Sequence, residues 1–251
     1  MIFDTHAHYN DKAFDEDREE LLAAMAVHGV GRIVNASEDH ATSLETIELT
    51  RQYDYIYGAV GIHPEDVDHE TDTSWIPELL DEPKICAIGE IGLDYHWDTP
   101  RDLQHQVFRE QLQLALELDR PVIIHSREAA ADTYDIMREM GGDRLQAVLH
   151  CFGYEKEMAK RFLDLGYYIG IGGVVTYKNG RKLKEVAEYM PLERMLLETD
   201  CPYLSPVPYR GKRNSSLYLP EVVAEICALR GIPAAELEQA TWDNANRFYR
   251  L

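Results

Sequence analysis

Eight short apolar runs recur along the chain: Met1–Asp4, Arg32–Asn35, Ile56–Gly61, Ile85–Ile88, Val122–Ile124, Ala147–Leu149, Tyr167–Ile171 and Met195–Leu197. Several are rich in Val and Ile, which suits strands buried in a parallel sheet. Longer amphipathic stretches separate them. Asp17–His28 puts Leu21, Leu22 and Met25 on one helical face, and Leu103–Leu118 does the same with Val107, Phe108, Leu112, Ala115 and Leu116. Glu155–Leu165 and Leu183–Met190 repeat the pattern, and glycines stand where helices should stop, at Gly29, Gly31, Gly141, Gly142 and Gly166. Strand alternating with helix or long loop eight times predicts an α/β chain, a single-domain (β/α)8 TIM-type barrel over residues 1–251. Two more helices, Leu219 to Arg230 and Pro233 to Phe248, complete it. An open doubly wound sheet is the alternative, but no G-x-G-x-x-G opens a helix, so its dinucleotide-binding version has no support.

Composition narrows the chemistry. A hydrophobic share of 45% and a charged share of 28% are globular values. The net charge of -20 excludes a broad basic footprint for nucleic acid, so any such substrate must be held by a local patch or by metal ions. Cys86, Cys151, Cys201 and Cys227 form no C-x-x-C pair, as expected of a reduced cytoplasmic protein. No run approaches the ~18 apolar residues of a membrane span, and the N-terminus lacks the regions of a signal peptide. No feature calls for an obligate protein partner.

The polar residues that break these runs are not scattered. His6 and His8 end the first run, and His63 follows the third. Glu90 follows the fourth, His125 the fifth, His150 the sixth and Asp200 the eighth. All seven fall at the C-terminal ends of strands, the face on which barrel active sites are built. His6-Ala7-His8 by itself is weak evidence, although side chains two apart on a strand share a face and can reach one ion. The common placement of the set is what predicts a metal centre. His28, His40, His69, His96 and His105 read as ordinary surface or helix positions.

Four imidazoles (His6, His8, His125, His150) with two carboxylates (Glu90, Asp200) form a mixed nitrogen–oxygen donor set, suited to zinc, manganese, nickel or iron(II). Six ligands exceed one tetrahedral site and fit two divalent ions about 3.5–4 Å apart, with Glu90 as the bridge. Cys151 and Cys201 adjoin ligands, but strand neighbours point to opposite faces, so they read as packing residues.

The motifs Phe3-Asp4-Thr5-His6-Ala7-His8, Gly61-Ile62-His63-Pro64, Gly89-Glu90-Ile91-Gly92-Leu93-Asp94-Tyr95, Ile124-His125-Ser126-Arg127, His150-Cys151-Phe152, Glu198-Thr199-Asp200-Cys201-Pro202-Tyr203-Leu204 and Arg210-Gly211-Lys212-Arg213-Asn214 occur in this order. Together they resemble the TatD family of metal-dependent hydrolases, within the amidohydrolase-like barrels. The resemblance implies a TIM-type barrel, a deoxyribonuclease-type phosphodiesterase acting from the 3′ end, and magnesium as the ion. It also implies metal ligands at His6, His8, Glu90, His125, His150 and Asp200. The chain departs from the family pattern at Gly153-Tyr154, where Ser-Gly or Thr-Gly is usual, and at Ser215-Ser216, where Glu-Pro is usual. These departures bear on substrate preference at the rim.

Roles follow from the ions. Metal-activated water attacks phosphorus and Asp200 accepts its proton as general base. Arg127, Arg210, Lys212 and Arg213 are loop cations expected to hold phosphate, His63 is expected to contact substrate or support the ligands, and Glu198 is expected to support Asp200. The acidic remainder favours short single-stranded DNA or RNA ends over long duplexes. A lactonase, phosphotriesterase or amide hydrolase on the same centre is the alternative.

Overall fold

The computed structural model describes residues 1–251. Its strands are β1 (Ile2–Ala7), β2 (Val30–Ala36), β3 (Ile56–Val60), β4 (Ile85–Asp94), β5 (Val122–Arg127), β6 (Ala147–Leu149), β7 (Tyr168–Ile171) and β8 (Met195–Leu197). They follow one another in sheet order from β1 to β8, and the pairs β1–β2, β3–β4, β4–β5, β5–β6 and β7–β8 are parallel. The helices between and after them are α1 (Arg18–Ala24), α2 (His40–Gln52), α3 (Ile76–Leu79), α4 (Arg101–Glu117), α5 (Ala130–Met140), α6 (Lys156–Asp164), α7 (Arg181–Tyr189), α8 (Leu219–Arg230) and α9 (Ala234–Tyr249). No helix is long and apolar enough to cross a membrane. The chain forms two compact units, one of Met1–Asn35, Cys151–Lys160 and Ile169–Leu251, the other of Ala36–His150 and Arg161–Tyr168.

In the first unit, α9 is fastened to β1. Phe3 packs against Trp242 and Tyr249, with ring centroids 5.8 and 5.9 Å away, and the Tyr249 hydroxyl donates to the Thr5 carbonyl at 2.8 Å. Asn244 donates to the carbonyls of Leu192 and Met195, which fixes the start of β8. Burying aromatic surface of this size contributes on the order of 2 kcal/mol per side chain.

In the second unit, two buried glutamines on α4 clamp strand ends. Gln104 accepts from the Asp94 N–H at 2.8 Å and donates to the Asp94 carbonyl at 2.8 Å, closing β4. Gln111 makes the same pair of bonds to Ile62, at 2.7 and 3.0 Å, just beyond β3. The two are seven residues apart, two helical turns, so they share a face. Each satisfies backbone groups that would otherwise be costly to bury. Asp94 and His63 therefore leave positions that are locked rather than loose.

β4 is longer than its apolar run, because Glu90, Gly92 and Asp94 interrupt hydrophobicity without ending the strand. Gly92 has φ +147°, and a Cβ there would fall 2.0 Å from the His125 carbonyl oxygen. Only glycine lets β4 approach β5 this closely. The ladder then sets Gly92 opposite His125 and Asp94 opposite Arg127.

Candidate metal centre

In the first unit, His6, His8 and Asp200 form one donor group. The Nε2 atoms of His6 and His8 lie 2.9 Å apart, and Asp200 Oδ1 is 3.6 Å from the first and 3.4 Å from the second. Ligands at ~2.0–2.2 Å from a common ion stand about 3.0–3.6 Å from one another, so the spacing fits a bound divalent cation. Two strand ends make the arrangement. The His6 carbonyl accepts from the Asp200 N–H at 3.0 Å, and the His8 N–H donates to the Cys201 carbonyl at 2.9 Å. Beneath them Asp4 is fully buried and accepts from Thr199 N–H, Thr199 Oγ1 and Ser216 Oγ at 3.0, 2.7 and 2.6 Å. Burial pushes the Asp4 carboxyl up to about 6 even against these hydrogen bonds. Ser216, one of the four residues that depart from the family pattern, thus does structural work of its own: it ties Asp4 to the Tyr9 hydroxyl, 2.8 Å away.

In the second unit, Glu90 is the hub. Its Oε1 lies 2.6 Å from His150 Nε2, 2.7 Å from His125 Nδ1 and 3.4 Å from His63 Nε2. The donor atoms of His63, Glu90 and His125 are close enough together to share an ion. His63, expected at the substrate or behind the ligands, thus stands within reach of both Glu90 and His125. The other ring nitrogen of His125, Nε2, lies 2.8 Å from Asp94 Oδ2. Burial opposes charge on this imidazole, but hydrogen bonds to Asp94 and Glu90 and their negative charges outweigh it and raise the His125 pKa to about 10. For Asp94, burial works against ionisation, and bonds from His125 and the His96 N–H hold the carboxyl below its ordinary value. A carboxylate behind a metal-binding histidine is the usual device for fixing the ring. The donor sets of both units, imidazole nitrogens with carboxylate oxygens, fit divalent ions of the zinc, manganese and nickel type.

Asp94 was visible in sequence only as part of a motif. The signal that could have found it is its alternation with Glu90 and Gly92, which puts 90, 92 and 94 on one strand face. Glu198 accepts from the Cys151 N–H. It stands in space opened by Gly170, where a Cβ would fall 2.0 Å from Glu198 Oε2.

The expected phosphate-binding cations are placed differently from one another. Arg127 is exposed at the end of β5, 5.8 Å from the Trp97 ring centroid. Arg210 sits 4.3 Å over Tyr177, and Lys212 lies 5.8 Å from the Tyr209 ring. Arg213, by contrast, forks onto Asp17 with bonds of 2.7 and 2.6 Å and donates to the Ala13 carbonyl at 2.7 Å. A bidentate pair of this kind ties Arg213 to Asp17 and joins two loops, a partner that the other three cations do not share.

With this geometry in place, comparison with known proteins decides the family. Residues 3–250 match the family model described as TatD related DNase. The chain belongs to the TatD family. It is 43% identical to the uncharacterized metal-dependent hydrolase YabD of Bacillus subtilis (strain 168), with all of both chains covered. It is 35% identical to YcfH of Escherichia coli (strain K12), also an uncharacterized metal-dependent hydrolase, covering 100% of this chain and 96% of that one. Among solved structures, the TatD homologue YjjV of Escherichia coli K12 superposes with a TM-score of 0.92 at 33% identity, covering 100% of this chain and 98% of that one. The strand order and the TatD match together make the fold a TIM-type (β/α)8 fold.

Proposed function

We propose that this chain hydrolyses phosphodiester bonds near a free 3′ end of short single-stranded DNA or RNA, its 251 residues acting as one catalytic domain. That it is a metal-dependent hydrolase of the TatD family rests on the family match and on its relatives. The observation that favours the finer reading is the match over residues 3–250 to a family model described as TatD related DNase. The donor geometry supports the metal site that it needs: Glu90 Oε1 gathers three imidazoles, and His6, His8 and Asp200 supply a second group. In this reading His6, His8, Glu90, His125, His150 and Asp200 serve one centre of two divalent ions. The family resemblance favours magnesium, and the imidazole content also suits manganese, zinc or nickel. Such ions supply an acidified water and positive charge opposite the phosphoryl oxygens.

The chain's own residues do the rest. Asp200 accepts the proton of the attacking water at its carboxylate. Asp94 orients the His125 ring. Arg127, Arg210 and Lys212 hold the phosphates that flank the scissile one, each as a charge at the rim rather than across a broad surface. The four free cysteines suit a reducing compartment such as the cytoplasm.

The test is a substrate screen with Mg2+, Mn2+ and Zn2+, using a labelled single-stranded oligonucleotide, a lactone and an amide. Metal-dependent shortening from the 3′ end is expected, and Asp200→Asn should lower it about 10²–10⁴-fold at saturating metal. Lactone or amide turnover without oligonucleotide cleavage would overturn the phosphodiesterase reading in favour of another hydrolase on the same centre.

A further inference from the structure

We infer that Trp97 and Arg127 form a stacking shelf for one nucleobase of the substrate, with the guanidinium meeting the adjoining phosphate. The inference rests on the nuclease reading above and names the part of the substrate that the rim recognises.

Trp97 is 51% exposed, whereas the other two tryptophans are more deeply set. Trp75 stacks on His40 and donates its Nε1–H to Glu70, and Trp242 packs on Phe3 with Arg32 over its ring. Half of the indole surface is therefore open to a flat ligand, and what distinguishes Trp97 is its place beside the donor residues and a cation.

Its location is tied to the donors bond by bond. Glu90 meets His125 Nδ1, His125 Nε2 meets Asp94 Oδ2, and Asp94 Oδ1 accepts the His96 N–H at 2.8 Å. Trp97 is the next residue. From the other strand, Arg127 lies two residues beyond His125, about 7 Å along β5, and points to the same side of that strand. The Tyr95 N–H donates to the Arg127 carbonyl at 2.9 Å, which holds the two segments in register.

The shelf is braced but not filled. The His96 ring stands edge-on to Trp97 at 4.9 Å and 83°, and its Nδ1 meets Glu128 at 3.0 Å. Glu128, the carboxylate next to Arg127, is thereby engaged by an imidazole. The Arg127 guanidinium, 5.8 Å from the ring centroid, is at the outer limit of a cation–π contact, so it is near the indole without being committed to it. An exposed π-face beside a loosely held cation matches the chemistry of one nucleotide: a flat base and a phosphate. Stacking of this kind accepts any base.

The experiment uses the metal-loaded enzyme with Trp97→Leu and Trp97→Phe. Two oligonucleotides are compared, one ordinary and one with abasic residues at its 3′-terminal positions. Trp97→Leu should raise KM for the ordinary strand about 5- to 150-fold, the worth of one stacked base, with kcat little changed. The abasic strand should be insensitive to the substitution, and Trp97→Phe should keep most of the wild-type preference. Separately, adenosine 5′-monophosphate should quench the tryptophan fluorescence of the wild type and not that of Trp97→Leu, with ribose 5-phosphate as the base-free control. Equal losses on the two strands, or an unchanged KM, would overturn the shelf while leaving the nuclease reading intact. If the wild type cleaves neither strand, the nuclease reading falls, and the quenching experiment still decides whether Trp97 receives a base.

Discussion

Asp94 carries a consequence for metal affinity that can be measured directly. It is fully buried, its backbone is clamped by Gln104, and its side chain divides between His125 Nε2 and the His96 N–H. Asp94→Asn preserves shape but removes the charge that makes the imidazole a better donor and fixes its ring. Metal affinity should fall about 10–100-fold, the usual effect of removing a carboxylate behind a ligating histidine. Titrating metal-free enzyme with Mn2+ or Zn2+ by calorimetry checks this without any substrate. Wild-type affinity in the variant would mean that packing, not Asp94, orients His125. At this scale the sequence shows histidines well and second carboxylates badly. His6, His125 and His150 stand out because a polar ring ending an apolar run is conspicuous. Asp94 is hidden because the continuous apolar run ends at Ile88, and β4 goes on as an alternation of Ile91 and Leu93 with Glu90, Gly92 and Asp94. The partner of Arg213 is hidden for another reason: Asp17, which its guanidinium bonds, lies 196 residues away in the chain.

Elements were legible wherever one face is apolar. The expected helix from Leu219 to Arg230 is α8, and those predicted over Leu103–Leu118 and Pro233–Phe248 shift by one or two residues to become α4 and α9. The predicted Asp17–His28 helix stops at Ala24, and a short turn, Ala26–His28, takes up the remainder before left-handed Gly29. α2 gave no apolar stripe, because it buries Ser43, Thr46 and Thr50 beside Ile47 and Leu49. Its start is secured instead by a capping box between Asp39 and Thr42. The β7–β8 pair makes a prediction of its own. Gly170 on β7 leaves the room that Glu198 occupies, and Glu198 in turn holds the Cys151 N–H. Gly170→Ala should destabilise the fold by about 1–3 kcal/mol through overpacking. Glu198→Ala, which vacates that space, should largely relieve the added methyl, so the double variant should be more stable than the sum of the single losses predicts. Urea midpoints of the four proteins give the coupling. Strict additivity would show that Glu198 is not what fills the groove beside Gly170.

Across the whole molecule, a net charge of -20 opposes an anionic substrate everywhere except where cations and metal ligands gather. Arg213 is committed to Asp17, which leaves Arg127, Arg210 and Lys212 as the rim cations proposed to reach phosphate. Binding that depends on so few charges releases few counterions. For a single-stranded oligonucleotide, ~2–4 phosphate contacts at about 0.7 each should give a slope of log affinity against log salt between about -1.4 and -2.8. A protein that grips 6–10 phosphates would show a far steeper loss. The measurement is the Kd, or KM at fixed metal, of a short labelled strand from about 50 to 200 mM salt. Heat stability measured over the same range provides the control, because salt that screens the self-repulsion of an acidic chain should hold or raise its Tm while weakening substrate binding. Replacing Arg210 and Lys212 together by Ala should flatten the slope by about one to two contacts' worth and leave the Tm response unchanged. A slope steeper than about -4 in the wild type would require a cationic surface well beyond these three side chains. A slope near zero, with oligonucleotide cleavage intact, would place recognition in the metal ions and in base stacking alone.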